Sequence, residues 1–134
     1  MPASFFDTNV LVYIASGDSA KADRAEAAIA AGGVISVQVL NELANVARRK
    51  MQMSWTETHA LLTMLRGLLM VHPLTLETHE IGLELAERYG FSMYDAMIAA
   101  SALHAGCDTL WSEDMQHDMV VDERLRIVNP FRGT

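Results

Sequence analysis

The amino-acid sequence predicts an α/β fold, a three-layer α/β/α sandwich built on a mostly parallel sheet of five strands. Short apolar runs alternate with longer helix-patterned segments along the chain, and this order requires right-handed crossovers between parallel strands. The composition, 51% hydrophobic and 20% charged, suits either a sheet covered on both faces or an apolar surface kept for a partner. No repeat, low-complexity segment or Pro/Gly-rich linker divides the 134 residues, so residues 1–134 are expected to form one domain.

Five short apolar runs are expected to form the strands of this sheet. They are residues 3–6, 34–35, 70–74, 109–111 and 126–128. The first four are separated by segments with helical periodicity, which places helices between consecutive strands.

The helices are predicted from their start and stop signals as well as from their apolar faces. They cover residues 18–31, 37–50, a segment that begins at 54–57, residues 75–89 and residues 92–105. Ser54 and Glu57 have the spacing of a capping box. Gly32, Gly90 and Gly106 stand where helices end, because glycine readily adopts the conformation that follows a last helical turn. The last predicted helix is rich in alanine, which allows close packing on a sheet.

Charge and cysteine content narrow the classes of function. A formal net charge of −7 argues against nucleic-acid binding unless some of the acids bind divalent cations. Cys107 is the only cysteine, so no internal disulfide can form and a cytoplasmic location is expected. No apolar run approaches the roughly 18 residues of a membrane span, and residues 1–4 lack the features of a signal peptide, so no membrane partner is expected.

Four acids follow the predicted strands in a way that brings them to one edge of the sheet. Asp7 ends the first strand, and Glu42 lies early in the helix after the second. Asp95 lies near the start of the helix that leads into the fourth strand, and Asp114 comes just after that strand. Ligands of such sheets bind outside the carboxyl ends of the strands. We therefore expect the four carboxylates to meet there.

Each acid also has a simpler interpretation. Asp7 is a candidate cap for a helix that follows it, and Asp95 has capping-box spacing from Ser92. Glu42 alone would be a solvated helix residue, and Asp114 an acid in a turn. The shared edge is what favours a joint role, because four unrelated acids would not be expected at one place.

Clustered carboxylates require either raised pKa values or a cation between them. Mg²⁺ and Mn²⁺ prefer oxygen ligands, and Mg²⁺ typically combines few carboxylates with waters and substrate phosphates. Such a centre polarises a phosphodiester and activates a water for in-line attack. The predicted chemistry is therefore metal-dependent hydrolysis of a phosphodiester bond.

Four segments in this order resemble the successive motifs of PIN domains, and more narrowly those of VapC-type toxins. The segments are FDTNVLVY (residues 6–13), VLNEL (39–43), YDAMIAASA (94–102) and LWSEDM (110–115). The resemblance extends from Phe6 to about Val128. It implies a PIN-like fold and a Mg²⁺- or Mn²⁺-dependent endoribonuclease. It also implies a homodimer that a VapB-like antitoxin neutralises, with RNA as the substrate.

The resemblance also implies roles for individual residues. Its catalytic and metal-binding acids correspond to Asp7, Glu42, Asp95 and Asp114. Its supporting polar positions correspond to Asn9, Ser36 and Ser112. Many members carry another acid two residues after the last one. That position is Gln116 here, and Asp118 is the remaining candidate.

Arg49 is a candidate for substrate binding. It follows Glu42 by seven residues on the same helix line, about 10 Å along the axis, a reach that suits a phosphate next to the scissile one. The alternative is a solvated helix end, where a cation favours the helix dipole. His104 and His117 are potential metal ligands that a hard oxygen site does not need.

Two other functions compete with metal-dependent RNA hydrolysis. An aspartyl-nucleophile phosphatase would need a second aspartate at the position of Asn9 and a later lysine, and Lys50 is the last lysine of the chain. A catalytically degenerate PIN-like binding module is the other alternative. It has no need to retain four carboxylates that repel one another.

Overall fold

The structure is a computed structural model, and it describes residues 3–132. The strands are β1 (Ser4–Phe6), β2 (Val34–Ser36), β3 (Met70–His72), β4 (Thr109–Trp111), β5 (Val120–Val121) and β6 (Leu125–Val128). The helices are α1 (Thr8–Val12), α2 (Ser19–Ile29), α3 (Val37–Arg49), α4 (Trp55–Leu68), α5 (Leu76–Tyr89) and α6 (Met93–His104), with a 3₁₀ turn at Tyr13–Ala15 after α1. No helix within residues 3–132 is both long and apolar enough to cross a membrane.

The sheet has the strand order β3-β2-β1-β4-β6-β5, and only the pairing of β5 with β6 is antiparallel. Helices flank it, so the predicted α/β sandwich with a mostly parallel sheet is confirmed. The predicted count of five strands is wrong by one, because the two-residue strand β5 was not expected. It is too short to show an alternating pattern. Its turn into β6 places Asp122 and Glu123 at positive φ, a conformation usually signalled by glycine or asparagine.

The core lies on both faces of the central strands. Phe5, Phe6, Leu110 and Ile127 are fully buried on β1, β4 and β6. Helix α6 packs against the sheet through small side chains, all of them buried: Ala96, Ala99, Ala100 and Ala102. This close helix–sheet contact is the one that the alanine-rich segment predicted.

Side-chain caps fix where most helices begin. Asp18, Ser36, Ser54, Thr75 and Ser92 each accept a hydrogen bond from a backbone N–H in the first turn of the helix that follows. The predicted helix bounds extend past the observed ones because they include three of these caps, and because α2, α3 and α6 end one or two residues earlier than predicted. Predicted strand 70–74 is shorter in the structure, where β3 ends at His72.

The carboxyl ends of β1 and β4 lie side by side. Phe6 is in register with Trp111, and the Asp7 N–H donates to the Trp111 carbonyl at 2.9 Å. On the other side, β2 ends at Ser36, where α3 begins at once. The first turns of α1 and α3 therefore start from neighbouring strands, and the contacts between α1 and α3 follow from this.

Candidate functional site

Asp7 is buried and caps α1. Its Oδ1 accepts the Thr8 N–H at 2.7 Å, so the capping interpretation holds in the structure. Its Oδ2 accepts the Ser112 hydroxyl at 2.9 Å and the Asn9 amide at 3.2 Å. All three of these groups donate to the carboxylate, and such hydrogen bonds stabilise its charged form.

Asn9 and Ser112 connect this carboxylate to the segment that carries Asp114. Asn9 Oδ1 accepts the Glu113 N–H at 3.0 Å, while its amide nitrogen donates to Asp7. The Ser112 oxygen accepts the Met115 N–H at 3.2 Å. The two side chains thus fix the turn after β4 to the turn after β1.

Glu42 is held by hydrogen bonds to both oxygens. Thr8 Oγ1 donates to Glu42 Oε2 at 2.6 Å, and Gln38 Nε2 donates to Oε1 at 3.0 Å. Gln38 Nε2 also donates to the Tyr94 carbonyl, one residue before Asp95. Helices α1, α3 and α6 therefore meet around this one carboxylate.

Asp95 and Asp114 are the other two acids of the site. Asp95 lies in the first turn of α6, and its N–H donates to the capping hydroxyl of Ser92 at 3.2 Å. Asp114 is exposed, two residues after the buried Ser112. Asp7, Glu42, Asp95 and Asp114 all line one open cleft with a volume of about 500 Å³.

The environment of the cleft raises the pKa values of two of its acids, Asp7 and Asp95. Burial raises the pKa of Asp7 to about 6, against the opposing hydrogen bonds from Ser112 and Thr8, and the charges of Glu42 and Asp95 add to the rise. The pKa of Asp95 is also raised, first by burial and then by the charges of Asp114 and Glu42. The cleft therefore has an excess of negative charge.

This donor set fits a hard divalent cation in an open site. Within residues 3–132, no three Asp, Glu, His or Cys side chains converge into a ready-made ligand group. The carboxylates instead face one cleft, where burial first, and their mutual charges in addition, raise the pKa values of Asp7 and Asp95. An ion that takes few protein ligands and keeps waters, as Mg²⁺ does, suits such an arrangement better than one that requires a closed cage.

Several residues at this site were not predicted from the sequence. Glu113 lines the cleft, and its carboxylate accepts from Tyr13 Oη at 2.8 Å and from Lys21 Nζ at 2.6 Å. The Lys21 ammonium also lies 4.6 Å from the Tyr13 ring centroid. Thr8 and Gln38 were missed as partners of Glu42. For Gln38 the i,i+4 spacing was a usable signal.

The remaining predicted residues lie outside this cleft. Ser36 is buried and caps α3 by accepting the Val39 N–H at 3.3 Å, so it fixes the start of the helix that carries Glu42. Asp118 is exposed beside Arg126 and His117 and does not line the cleft. Arg49 lines an adjacent groove, whereas Lys50 lines the cleft itself.

Comparison with known proteins identifies the class. The PIN domain family profile matches residues 4–121. No curated protein sequence matches the chain.

Solved structures share the fold at low sequence identity. VapC20 of Mycobacterium tuberculosis, described as a sarcin–ricin loop cleaving toxin, is 20% identical with a TM-score of 0.70, covering 84% of this chain and 90% of its own. A toxin–antitoxin complex from Klebsiella pneumoniae is 20% identical with a TM-score of 0.74, covering 96% of this chain and 98% of its own. VapBC2 of Rickettsia felis, bound to a promoter DNA fragment, is 20% identical with a TM-score of 0.66, covering 92% of this chain and 96% of its own.

Fold, site and family profile agree on one class, the α/β proteins that gather carboxylates at the carboxyl edge of a parallel sheet. The chain belongs to the PIN domain family. The predicted membership is thereby confirmed. The roles of individual residues as ligands stay predictions.

Proposed function

We propose that the protein is a Mg²⁺- or Mn²⁺-dependent endoribonuclease that acts as the toxin of a toxin–antitoxin module. The observation that carries this proposal is the shared cleft of Asp7, Glu42, Asp95 and Asp114. The family supports a nuclease, and toxins of this kind are among the structures that share its fold.

Asp7, Glu42, Asp95 and Asp114 are the residues that would hold the ion. When bound, the ion polarises the scissile phosphodiester and lowers the pKa of a water placed for in-line attack. Asn9 and Ser112 keep the Asp7 side chain oriented by donating to its Oδ2. Thr8 and Gln38 hold Glu42 at the same cleft.

Binding of the RNA relies on the few cations near this acidic cleft. Lys50 lines it, and Arg49 lies in the groove beside it. Both are available to contact phosphates that flank the scissile one, where they offset part of the repulsion expected from a net charge of −7.

An antitoxin of the VapB kind is the proposed protein partner, because structures of similar fold include toxin–antitoxin complexes. A basic segment of that partner would complement the acidic cleft. A homodimer is also proposed, and exposed apolar side chains such as Leu68 and Met70 are candidates for its contacts. Light scattering on the purified protein measures the oligomeric state, and a monomer at micromolar concentration would contradict the homodimer.

The decisive experiment is to sequence RNA 5′ ends in the cytoplasm after brief expression. Wild type is compared with Asp7→Asn and with Asp23→Asn, which removes an exposed acid of α2. We expect a small set of new 5′ ends with wild type and Asp23→Asn, and none with Asp7→Asn. Identical end profiles in all three would reject RNA hydrolysis and favour the binding-module alternative.

A further inference from the structure

A second groove lies directly beside the acidic cleft, along the exposed side of α3. It has a cavity volume of about 480 Å³ and is lined by Asn41, Ala44, Asn45, Arg48, Arg49 and Trp55. Asn45 lines both this groove and the cleft, so the two are adjacent and share a wall. A strand of RNA that passes the carboxylates therefore has a path into the groove.

Trp55 is exposed in this groove, at the start of a capped helix and next to an arginine. Its indole is 62% exposed, although it begins α4 next to a reciprocal cap in which Ser54 and Glu57 bond each other's backbone N–H. The Arg48 guanidinium carbon lies 4.2 Å from the indole ring centroid. Arg48 is itself fixed by donating to the Met53 carbonyl. The indole thus presents an exposed aromatic surface, with a cation against its ring.

The chemistry of the groove matches a nucleobase and its phosphate. An exposed indole stacks on any base, because every base has a π-face, and a neighbouring arginine adds a cation–π contribution. Asn41, Asn45 and Arg49 are exposed and supply hydrogen-bond donors. Arg48, Arg49 and Lys50 are three of the ten basic residues of a chain with a net charge of −7, so positive charge is concentrated here.

A protein partner fits this groove less well. Ala44 and Trp55 are the only apolar residues in its lining, whereas the other four are amides and guanidinium groups. Other exposed apolar residues of the same helix, Met64 and Leu68, lie at least two turns further along α4. A single indole among cations and amides is typical of a surface that binds single-stranded nucleic acid.

We propose that Trp55, backed by Arg48, stacks on the base of a nucleotide that flanks the scissile phosphate. Arg49 contacts the phosphate that lies between that nucleotide and the scissile phosphate. This inference rests on the proposed function, because it places the RNA of that same cleft. It adds a substrate subsite in which base identity is tolerated and an unstacked, single-stranded base is required.

Binding to a defined RNA tests the subsite without cleavage. The probe is a fluorescein-labelled single-stranded oligouridine, and a matched oligomer has abasic residues in place of the bases. Affinity is measured by fluorescence anisotropy in Mg²⁺, using Asp7→Asn as the parent protein. Trp55→Leu and Trp55→Phe are introduced into this parent, and Met64→Ala is the matched control on the same helix.

We expect Trp55→Leu to weaken binding of oligouridine about 5- to 150-fold, the range expected for one stacked base. Trp55→Phe should lose less, and Met64→Ala should bind like the parent. Binding of the abasic oligomer should be weak and equal in all four proteins. Thermal unfolding of each variant verifies that the domain remains folded.

Equal binding of oligouridine by the parent and Trp55→Leu would overturn the proposal, as would a parent that binds no RNA. Unchanged RNA binding with a loss of dimer in light scattering would assign Trp55 to a contact between copies of the chain, and would also overturn it. The proposed RNA hydrolysis and the proposed base-stacking subsite can fail independently of each other. If wild type cleaves no RNA in Mn²⁺ but Trp55→Leu still loses oligouridine selectively, the subsite stands and the nuclease does not.

Discussion

Replacing Asp7 with asparagine is expected to stabilise the protein at neutral pH when divalent cations are removed. Burial raises the pKa of the Asp7 carboxyl to about 6 in the folded protein, from an ordinary value of 3.8. A raised pKa means that folding disfavours the charged form. The roughly two-unit difference corresponds to about 3 kcal/mol.

The sign and the pH window follow from those two values. Below pH 3.8 the carboxyl is protonated in both states, and burial costs nothing through ionisation. Between pH 3.8 and about 6 the unfolded chain loses this proton first, so the free energy of unfolding falls as pH rises. Above about pH 6 the full cost is present. Asparagine removes the charge, although its amide faces the amide of Asn9 and loses that hydrogen bond.

The measurement is urea unfolding of wild type and Asp7→Asn in EDTA from pH 4 to pH 8. The difference in unfolding free energy should move in favour of Asp7→Asn by about 2 kcal/mol over this range. Mn²⁺ at ten times its dissociation constant should then restore about 1.4 kcal/mol to wild type but little to the variant. Asp23→Asn, the exposed control, should follow wild type.

Parallel stability curves for wild type and Asp7→Asn would refute the electrostatic argument. Loss of folding in Asp7→Asn at every pH would show that capping of α1 is the dominant role of this side chain. The difference between the two curves, and not either curve alone, is the informative quantity, because most other titrations cancel in it.

Three further predictions concern residues around the site and the core. Lys21→Met should strengthen Mn²⁺ binding in calorimetry, because it removes a positive charge that neutralises Glu113 next to Asp114, and Lys21→Arg, which keeps that charge, should bind like wild type. Burial raises the pKa of the Cys107 thiol to about 11, so iodoacetamide at pH 8 should modify it about a hundredfold more slowly than the unfolded chain. Gly33→Ala should cost about 1–3 kcal/mol in urea, since its Cβ would lie 2.7 Å from a β1 carbonyl oxygen, whereas Gly17→Ala should cost little.

The positions of the four acids followed from strand order alone. Parallel strands end at one edge, and a helix between them begins at that edge, so chain position was enough to bring Asp7, Glu42, Asp95 and Asp114 to one cleft. The cap at Asp7 was visible as well, although only as an alternative. In the structure Asp7 has both roles, because one side chain caps α1 and also lines the cleft.

Side-chain partners could not be predicted in the same way. The bond from Thr8 to Glu42 joins residues 34 apart, and the bond from Lys21 to Glu113 joins residues 92 apart. Such pairs depend on rotamers and on the separation of packed elements, which periodicity does not encode. Strand β5 was missed for a different reason, since two residues carry no period.

The hydrogen bond from Thr8 to Glu42 bears on which ions the cleft accepts. Thr8 directly follows Asp7, and its hydroxyl holds the Glu42 carboxylate at 2.6 Å, so the first turn of α1 sets the spacing between these two carboxylates. Mg²⁺ needs oxygen ligands at about 2.0–2.1 Å, whereas Ca²⁺ takes more ligands at about 2.3–2.6 Å in a looser shell. If these carboxylates hold the proposed ion, a spacing fixed by one short side chain is expected to favour the smaller ion. In the proposed metal centre, Thr8 would therefore contribute to the choice of ion without being one of its ligands.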